Sequence, residues 1–261
     1  MTTKRVGGST IVYSTPPVIV SAATVAGPKE SEGQMAQWFD ELVPDDMFGE
    51  RTPEKAERRF MEDAIKIALG SARVLPEQVN MIFAGDLLNQ IITSSFTAEG
   101  FGIPFVGLYG ACSTMAQSLT MASAMVDGGY ADLALAVTSS HYQTAERQFR
   151  YPIELNIMRK STSQYTVTGA GAALVGRSGG KVKVTEATIG KVIDMGIKDP
   201  NQMGPAMAPA AADTIFAHLA DTGRDPGYYD IMLTGDLGRV GAEILCQLMA
   251  EKGVPLGDNY S

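Results

Sequence analysis

The sequence predicts an α/β fold with a parallel sheet, built from two related halves of which the second is incomplete. Three observations predict it. Short apolar runs alternate with helical stretches from Val18 to Ile189, the rhythm of strand–helix–strand units joined by right-handed crossovers. One unit, Phe105-Val106-Gly107-Leu108 and then Gly110-Ala111-Cys112-Ser113-Thr114, passes from a strand straight into a small-residue helix. The stretch from Pro76 to Leu87 reappears 150 residues later from Pro226 to Leu237, with Pro, strand and Gly-Asp-Leu in register, each copy following an amphipathic helix.

The elements follow in order. Residues 1–15 are polar and expected to be loosely held. Val18 to Val25 is the first strand, closed by Gly27-Pro28. Gly33 to Arg51 is irregular and acidic, with Trp38 and Phe39 as its apolar anchors. Thr52-Pro53-Glu54 starts a helix with a hydroxyl N-cap, Pro at the first helical position and an acid in the first turn. Ala56, Phe60, Ala64, Ile67 and Ala68 mark its apolar face. Val79 to Gly85 reads as a buried strand, followed by Asp86-Leu87-Leu88-Asn89 and a helix running to about Gly100. The strand from Phe105 also reads as buried. The helix after Cys112 carries Met115, Leu119, Ala122 and Val126 at helical spacing, with mostly Ser, Thr, Ala and Met elsewhere. It therefore reads as enclosed on nearly all sides, ending at Gly128-Gly129. Leu133 to Thr138 is a further strand, with Ser139-Ser140-His141 at its end. Thr144 to Thr166 reads as the most polar loop, holding Arg147, Arg150, Arg159 and Lys160. Ala172–Val175 and Val182–Ile189 read as consecutive strands, and His218 lies in a helix from Ala208 to Leu219.

The halves divide at 1–178 and 179–261, and the counterpart of Cys112 would fall at about 262, so a final segment is expected beyond Ser261. A chain of 261 residues with 45% hydrophobic and 19% charged residues can bury a substantial core. It has no apolar run of about 18 residues and no signal-peptide pattern, so no transmembrane segment is expected. Two cysteines in separate segments make no disulfide framework and point to a reducing compartment. The net charge of −8 and the lack of a basic run argue against a nucleic-acid partner.

Several residues are candidates for chemistry. A cysteine among the first N–H groups of a helix sits in a field that favours negative charge and lowers a thiol pKa. Equally, Cys112 is the small, apolar residue that a strand-to-helix turn needs. Asp86 and Asn89 follow a strand end and either line a pocket or cap the next helix. Ser140 and His141 end another strand, where ligands bind in open α/β sheets, or the imidazole is a capped structural group. Arg147 and Arg150 either belong to a solvated loop or, with Phe149 and Tyr151, clamp a flat anionic ligand. His218 reads as structural or surface.

Gly-Ala-Cys-Ser-Thr after a buried strand, inside a duplicated unit, resembles the thiolase and ketoacyl-synthase superfamily. Further stretches resemble a sporulation branch of that superfamily found in spore-forming bacteria: Ala26-Gly27-Pro28-Lys29-Glu30, Ala84-Gly85-Asp86-Leu87-Leu88-Asn89-Gln90, Thr138-Ser139-Ser140-His141, Thr144 to Pro152, Ala206 to Ile215 and Leu233-Thr234-Gly235-Asp236-Leu237. The resemblance implies duplicated βαβαβ halves in a layered αβαβα arrangement. It also implies a non-catalytic protein that binds dipicolinic acid or its calcium chelate and assists its uptake into the developing spore. Such a protein is intracellular, peripheral to the spore inner (forespore) membrane, with the other subunits of the spore membrane channel as partners. It forms a homodimer and needs no cofactor or resident metal. The ligand-binding set is then Asp86, Asn89, Cys112, Ser113, Ser140, His141, Arg147 and Arg150. The rival reading is an acyl-transferring enzyme using Cys112. Against it, superfamily enzymes add a His, or a His and Asn pair, mostly from the second half, and neither His141 nor His218 matches that place.

Overall fold

The computed structural model of the chain describes residues 4–151, 155, 157–158 and 165–261. In chain order these residues form β1 (Arg5–Val6), β2 (Thr10–Val12), β3 (Val18–Ala26), β4 (Glu41–Leu42), α1 (Pro53–Ala72), β5 (Met81–Asp86), α2 (Ile92–Phe101), β6 (Phe105–Gly107), α3 (Thr114–Asp127) and β7 (Leu133–Ser140). Then come α4 (Tyr142–Phe149), β8 (Gly169–Gly176), β9 (Val182–Lys183), β10 (Glu186–Thr188), α5 (Met203–Thr222) and α6 (Gly238–Glu251). The described residues of Tyr13–Ile157 and Tyr165–Thr185 make one unit, and those of Met1–Val12 and Glu186–Ser261 make another.

The first unit holds the main sheet, in the order β4-β3-β8-β7-β5-β6 with β9 against β3. Its residues alternate between two cores, as Cβ atoms on successive strand positions must. Ile82 and Ala84 of β5, Leu135 and Val137 of β7 and Leu174 of β8 pack with Phe60, Ala64 and Ile65 of α1. Phe83, Ala134, Ala136 and Val175 face the other way, onto Ala122 and Val126 of α3. The sheet thus lies between α1 and α3. It is mixed rather than parallel. β5 runs parallel to β6 and β7, but β8 is antiparallel to both β7 and β3. β8 follows β7 in the chain and lies beside it, so the link closes at one end of the sheet and the strand returns in the opposite direction.

α1 starts as its sequence dictates: Thr52 Oγ1 accepts from the Lys55 N–H at 3.3 Å and Pro53 occupies the first helical position. Ala56, Phe60, Ala64 and Ala68 are buried as expected, Ile67 only partly, and Met61, Ile65 and Leu69 widen the stripe. Glu57, on the same helix, is fully buried.

Other expectations are corrected. β6 has a single sheet neighbour, so Val106 and Gly107 are exposed, not buried. α3 is not enclosed. One stripe meets the sheet, while Ala116, Gln117 and Met121 on the other are exposed. Trp38 is 70% exposed and anchors nothing, because the short turns around it end in a two-residue edge strand with little core beneath. Residues 142–149 are helical, not loop. His141 caps that helix, and the Glu146–Arg150 pair, four residues apart, supports its last turn. Arg159 and Lys160 lie outside the described residues. The expected strand over Val182–Ile189 is two strands: β9 pairs with β3, and β10 pairs with β2.

In the second unit β1, β2 and β10 form an antiparallel sheet, so residues 5–12 are held in strands rather than loosely. Asp221 of α5 accepts from the Gly8 and Ser9 N–H groups at 2.9 and 2.8 Å, fixing the β1–β2 turn, where Gly7 has φ +59°. Ala208, Ala212 and Leu219 of α5 pack on Leu245 and Met249 of α6. α5 spans 20 residues, as α1 does, and starts 150 positions later; the turns at Pro76–Gln78 and Pro226–Tyr228 keep the same spacing. The stretch matching β5 differs. Met232 makes a single bridge to Tyr260, and Ile231 and Leu233 are exposed.

Candidate functional site

The carboxyl ends of the parallel strands β7, β5 and β6 lie side by side, and the loops that follow them carry the candidate residues. Gly85 lets the loop after β6 approach, since a Cβ there would stand 2.0 Å from the Leu108 carbonyl oxygen. That loop passes through Ala111, which has φ +49°, a left-handed conformation that costs energy for any residue with a side chain. Cys112 follows in one turn of 3-10 helix, Ala111–Ser113, and α3 begins only at Thr114. The cysteine therefore sits just ahead of the helix rather than within its first turn, where sequence placed it. Its surroundings are locally hydrogen-bonded. Thr114 Oγ1 donates to the Ala111 carbonyl at 2.8 Å and accepts from the Gly110 N–H at 3.2 Å. Ser113 Oγ donates to the Gly110 carbonyl at 2.8 Å, and Gln117 Nε2 donates to Ser113 Oγ at 3.2 Å. Cys112 is exposed and, like Cys246, in no disulfide.

Asn89 is exposed. Its N–H donates to Gln148 Oε1 at 3.2 Å, while Gln148 Nε2 donates to the Tyr109 hydroxyl at 3.2 Å. Gln148, which the sequence reading passed over, thus joins the loops after β5 and β6 to α4. Its polarity made it look like one more loop residue.

Asp86 and His141 each make a capping hydrogen bond. Asp86 is fully buried, and Oδ2 accepts from the Ser94 N–H at 2.8 Å and the Ser94 hydroxyl at 3.0 Å, at the start of α2. Burial raises its carboxyl above the usual range. His141 is also fully buried. Nδ1 accepts from the Gln143 N–H at 3.2 Å, so Nε2 carries the proton and donates to the Asp46 carbonyl at 2.9 Å. Burial lowers the imidazole pKa. Ser140 Oγ donates to the Val167 carbonyl at 2.5 Å.

The least expected residue here is Glu57. Oε1 accepts from the Ser139 hydroxyl at 2.9 Å, and Oε2 lies 3.1 Å from Thr144 Oγ1. Thr144 Oγ1 is also 2.9 Å from the His141 carbonyl. A hydroxyl has one proton, so if Thr144 donates it to that carbonyl, Glu57 must supply the proton of the remaining contact. Burial, and then the Asp86 carboxylate, push Glu57 up to about 8, which fits an acid neutral at pH 7.

The arginines are committed within the chain: Arg147 Nη1 lies 2.6 Å from Glu54 Oε1, and Arg150 pairs with Glu146 with both side chains buried. His218 is structural. Nδ1 is 2.7 Å from Thr188 Oγ1 and Nε2 is 2.5 Å from the Tyr229 hydroxyl. These are the only two histidines of the chain, and both ring nitrogens of each are engaged by the partners given above. No helix among the described residues is long and apolar enough to cross a membrane.

Comparison with known proteins places this geometry. The family model described as stage V sporulation protein AD matches residues 7–261. Stage V sporulation protein AD of Bacillus subtilis is 45% identical over 257 residues, which is 98% of this chain and 76% of that protein. Among solved structures, cerulenin-bound OleA of Xanthomonas campestris superposes with a TM-score of 0.66 at 13% identity, covering 96% of this chain and 83% of that one. The 3-oxoacyl-[acyl-carrier-protein] synthase III of Aquifex aeolicus gives 0.59 at 15% identity, covering 94% and 83%. At such identities the likeness is one of fold, and the fold is thiolase-like α/β, as the resemblance implied.

Proposed function

The chain belongs to the stage V sporulation protein AD family, and on that premise we propose that it is a non-catalytic, thiolase-like protein that binds dipicolinic acid, or its calcium chelate, and assists its uptake into the developing spore. The observation that carries the non-catalytic part is the position of Cys112. It stands exposed at the strand ends, while the imidazoles of His141 and His218 are each held by hydrogen bonds that serve the fold, which supports a structural rather than a proton-transfer role for them. Sporulation is the family's own name, and dipicolinate follows from the resemblance. A flat dianion needs N–H donors, and the turn of Gly110 to Thr114 in front of α3, with Cys112 and Ser113 exposed, supports that role. In this reading the protein is peripheral to the spore inner membrane and works with the channel subunits as a homodimer. The one-sided edge of β6 and the open stripe of α3 support the dimer.

Calorimetry with dipicolinate against benzoate and isophthalate, with and without calcium, tests the binding. We expect a Kd on the order of micromolar for dipicolinate, weakening with salt. Replacing Cys112 by Trp should weaken it by about tenfold or more. Equal, weak binding of all three acids would end the reading. The acyl-transfer alternative has its own measurement. Incubated with acyl-CoA thioesters, the protein should show no adduct by intact mass, and an adduct that disappears in Cys112→Ser would establish the enzyme instead.

A further inference from the structure

In the second unit a relay of hydrogen bonds runs from a guanidinium to a carboxylate. Arg224 Nη1 lies 3.3 Å from the Tyr229 hydroxyl, which lies 2.5 Å from His218 Nε2. His218 Nδ1 lies 2.7 Å from Thr188 Oγ1, which lies 2.9 Å from Thr10 Oγ1. Thr10 reaches Asp221, whose carboxyl the Gly8 and Ser9 N–H groups, and then the Thr10 hydroxyl, hold below its usual range. The relay thus ties β2 and β10 to α5 and to the turn that ends at Tyr229.

Its two ends fix the direction of every proton. A guanidinium only donates, so Tyr229 accepts from Arg224 and gives its own proton to His218 Nε2. A carboxylate only accepts, so Thr10 donates to Asp221 and accepts from Thr188, and Thr188 accepts from His218 Nδ1. Both ends require a neutral ring protonated at Nδ1, the opposite tautomer to His141. A second ring proton would sit on Nε2 and turn the Tyr229 hydroxyl proton out of its place.

We propose that this relay is a pH-sensitive latch: with His218 neutral it holds β2 and β10 to the end of α5, and a proton taken up by His218 releases them. The charged groups around the ring are Glu186 of β10 and, at the end of α5, Asp221 and Arg224, while Thr10–Val12 of β2 carry none. Asp225, ahead of the turn, accepts from the Gly227 N–H at 2.8 Å. Glu186 is bonded to Arg224 Nη1 and Nη2 at 2.5 and 2.8 Å, so its charge is already matched. Burial lowers the imidazole pKa, and Glu186 does not reverse this. The released ring takes its proton near 6.5, the latched ring only at lower pH. The released form therefore binds more protons, so the latch is at full strength above that value and weakens as pH falls through it. None of these residues belongs to the dicarboxylate site, so the latch is independent of that reading.

Nitrogen-15 NMR of the full chain reads the ring nitrogens, and residue-resolved amide exchange, corrected for its intrinsic pH dependence, reads the opening. We expect the Nδ1–H tautomer at about pH 7.5. Between about pH 7.5 and pH 5.5 the opening of β2, of β10 and of the Ile189 N–H, which donates to the Ser9 carbonyl at 2.9 Å, should increase about threefold or more. In His218→Gln the amide offers one donor and one acceptor but takes no proton. The pH dependence of β2 and β10 should vanish there, while β5 and β7, on the His141 side, stay as in the parent. Tyr229→Phe is the second variant if His218→Gln folds poorly. It removes the donor to Nε2, so the ring should titrate nearer 6.5 and the pH dependence should shrink. An Nε2–H tautomer, opening of β2 and β10 that ignores pH, or an unchanged pH dependence in both variants would each overturn the proposal.

Discussion

Glu57→Gln should be more stable than the parent protein above about pH 5, by a margin that widens with pH until about pH 8. The folded protein holds the Glu57 proton up to about pH 8, whereas the unfolded chain releases it near 4.5. Between those values the folded state carries a proton that the unfolded state lacks, so stability falls as pH rises. Below the window both states are protonated and the penalty vanishes; above it both are ionised and the penalty stays at its maximum. The slope is about 1.4 kcal/mol per pH unit, so the loss across the window is on the order of 5 kcal/mol. Glutamine escapes this penalty and keeps the contacts. Its amide N–H₂ donates to Thr144 Oγ1, which donates on to the His141 carbonyl, and its carbonyl accepts from Ser139. Urea melts of both proteins from pH 5 to pH 9 would check it. A stability gap independent of pH would mean that Glu57 is ionised in the native state.

Glu57 also marks the limit of what the sequence made legible. The start of α1 was readable because Thr52-Pro53-Glu54 is a local device, complete within a few residues. β5 and β7 were readable because apolar runs bounded by turn residues carry their own signal. Cys112 was readable as a strand-to-helix turn, although Ser113 separates it from the helix proper. By contrast, a glutamate on a helix reads as solvent-facing, and only β7 and α4 arriving from far along the chain close over Glu57. The same holds for the direction of β8, which is set by its neighbours rather than by its own residues. α4 was hidden for a different reason. Its polar residues look like a loop until one sees that Gln148 and Arg147 reach partners on other elements, Asn89, Tyr109 and Glu54. Asp86 and His141 stood between two readings because a capping group and a pocket group occupy the same place at a strand end. Only their burial and their partners separate the two.

Gly85→Ala should cost about 3 kcal/mol and displace the cysteine turn. The added methyl would stand 2.0 Å from the Leu108 carbonyl oxygen, 3.0 Å from its carbon and 2.8 Å from Thr114 Cγ2. The first two are backbone atoms, in a residue whose N–H is bonded to the Ala84 carbonyl at 2.9 Å, so the loop cannot yield by a side-chain rotation. It must move as a whole, taking the left-handed Ala111 and then Cys112 with it. Gly107→Ala is the matched comparison. Its methyl would meet Ile91 Cδ1 at 2.2 Å and the Phe105 ring edge at 3.2 Å, the first of which is the far end of a side chain that can turn aside. It should cost less than about 1.5 kcal/mol. Thermal melts give the stability of both variants. Iodoacetamide labelling gives the position of the turn, with the exposed Cys246 of α6 as the internal reference. We expect Gly85→Ala to lower the melting temperature by about 6–12 °C. The ratio of Cys112 to Cys246 labelling should change in that variant and stay constant in Gly107→Ala. Parent-like melting together with a parent-like ratio in Gly85→Ala would show that the Leu108 loop is not held against β5, and the cysteine would then have no fixed place at the strand ends.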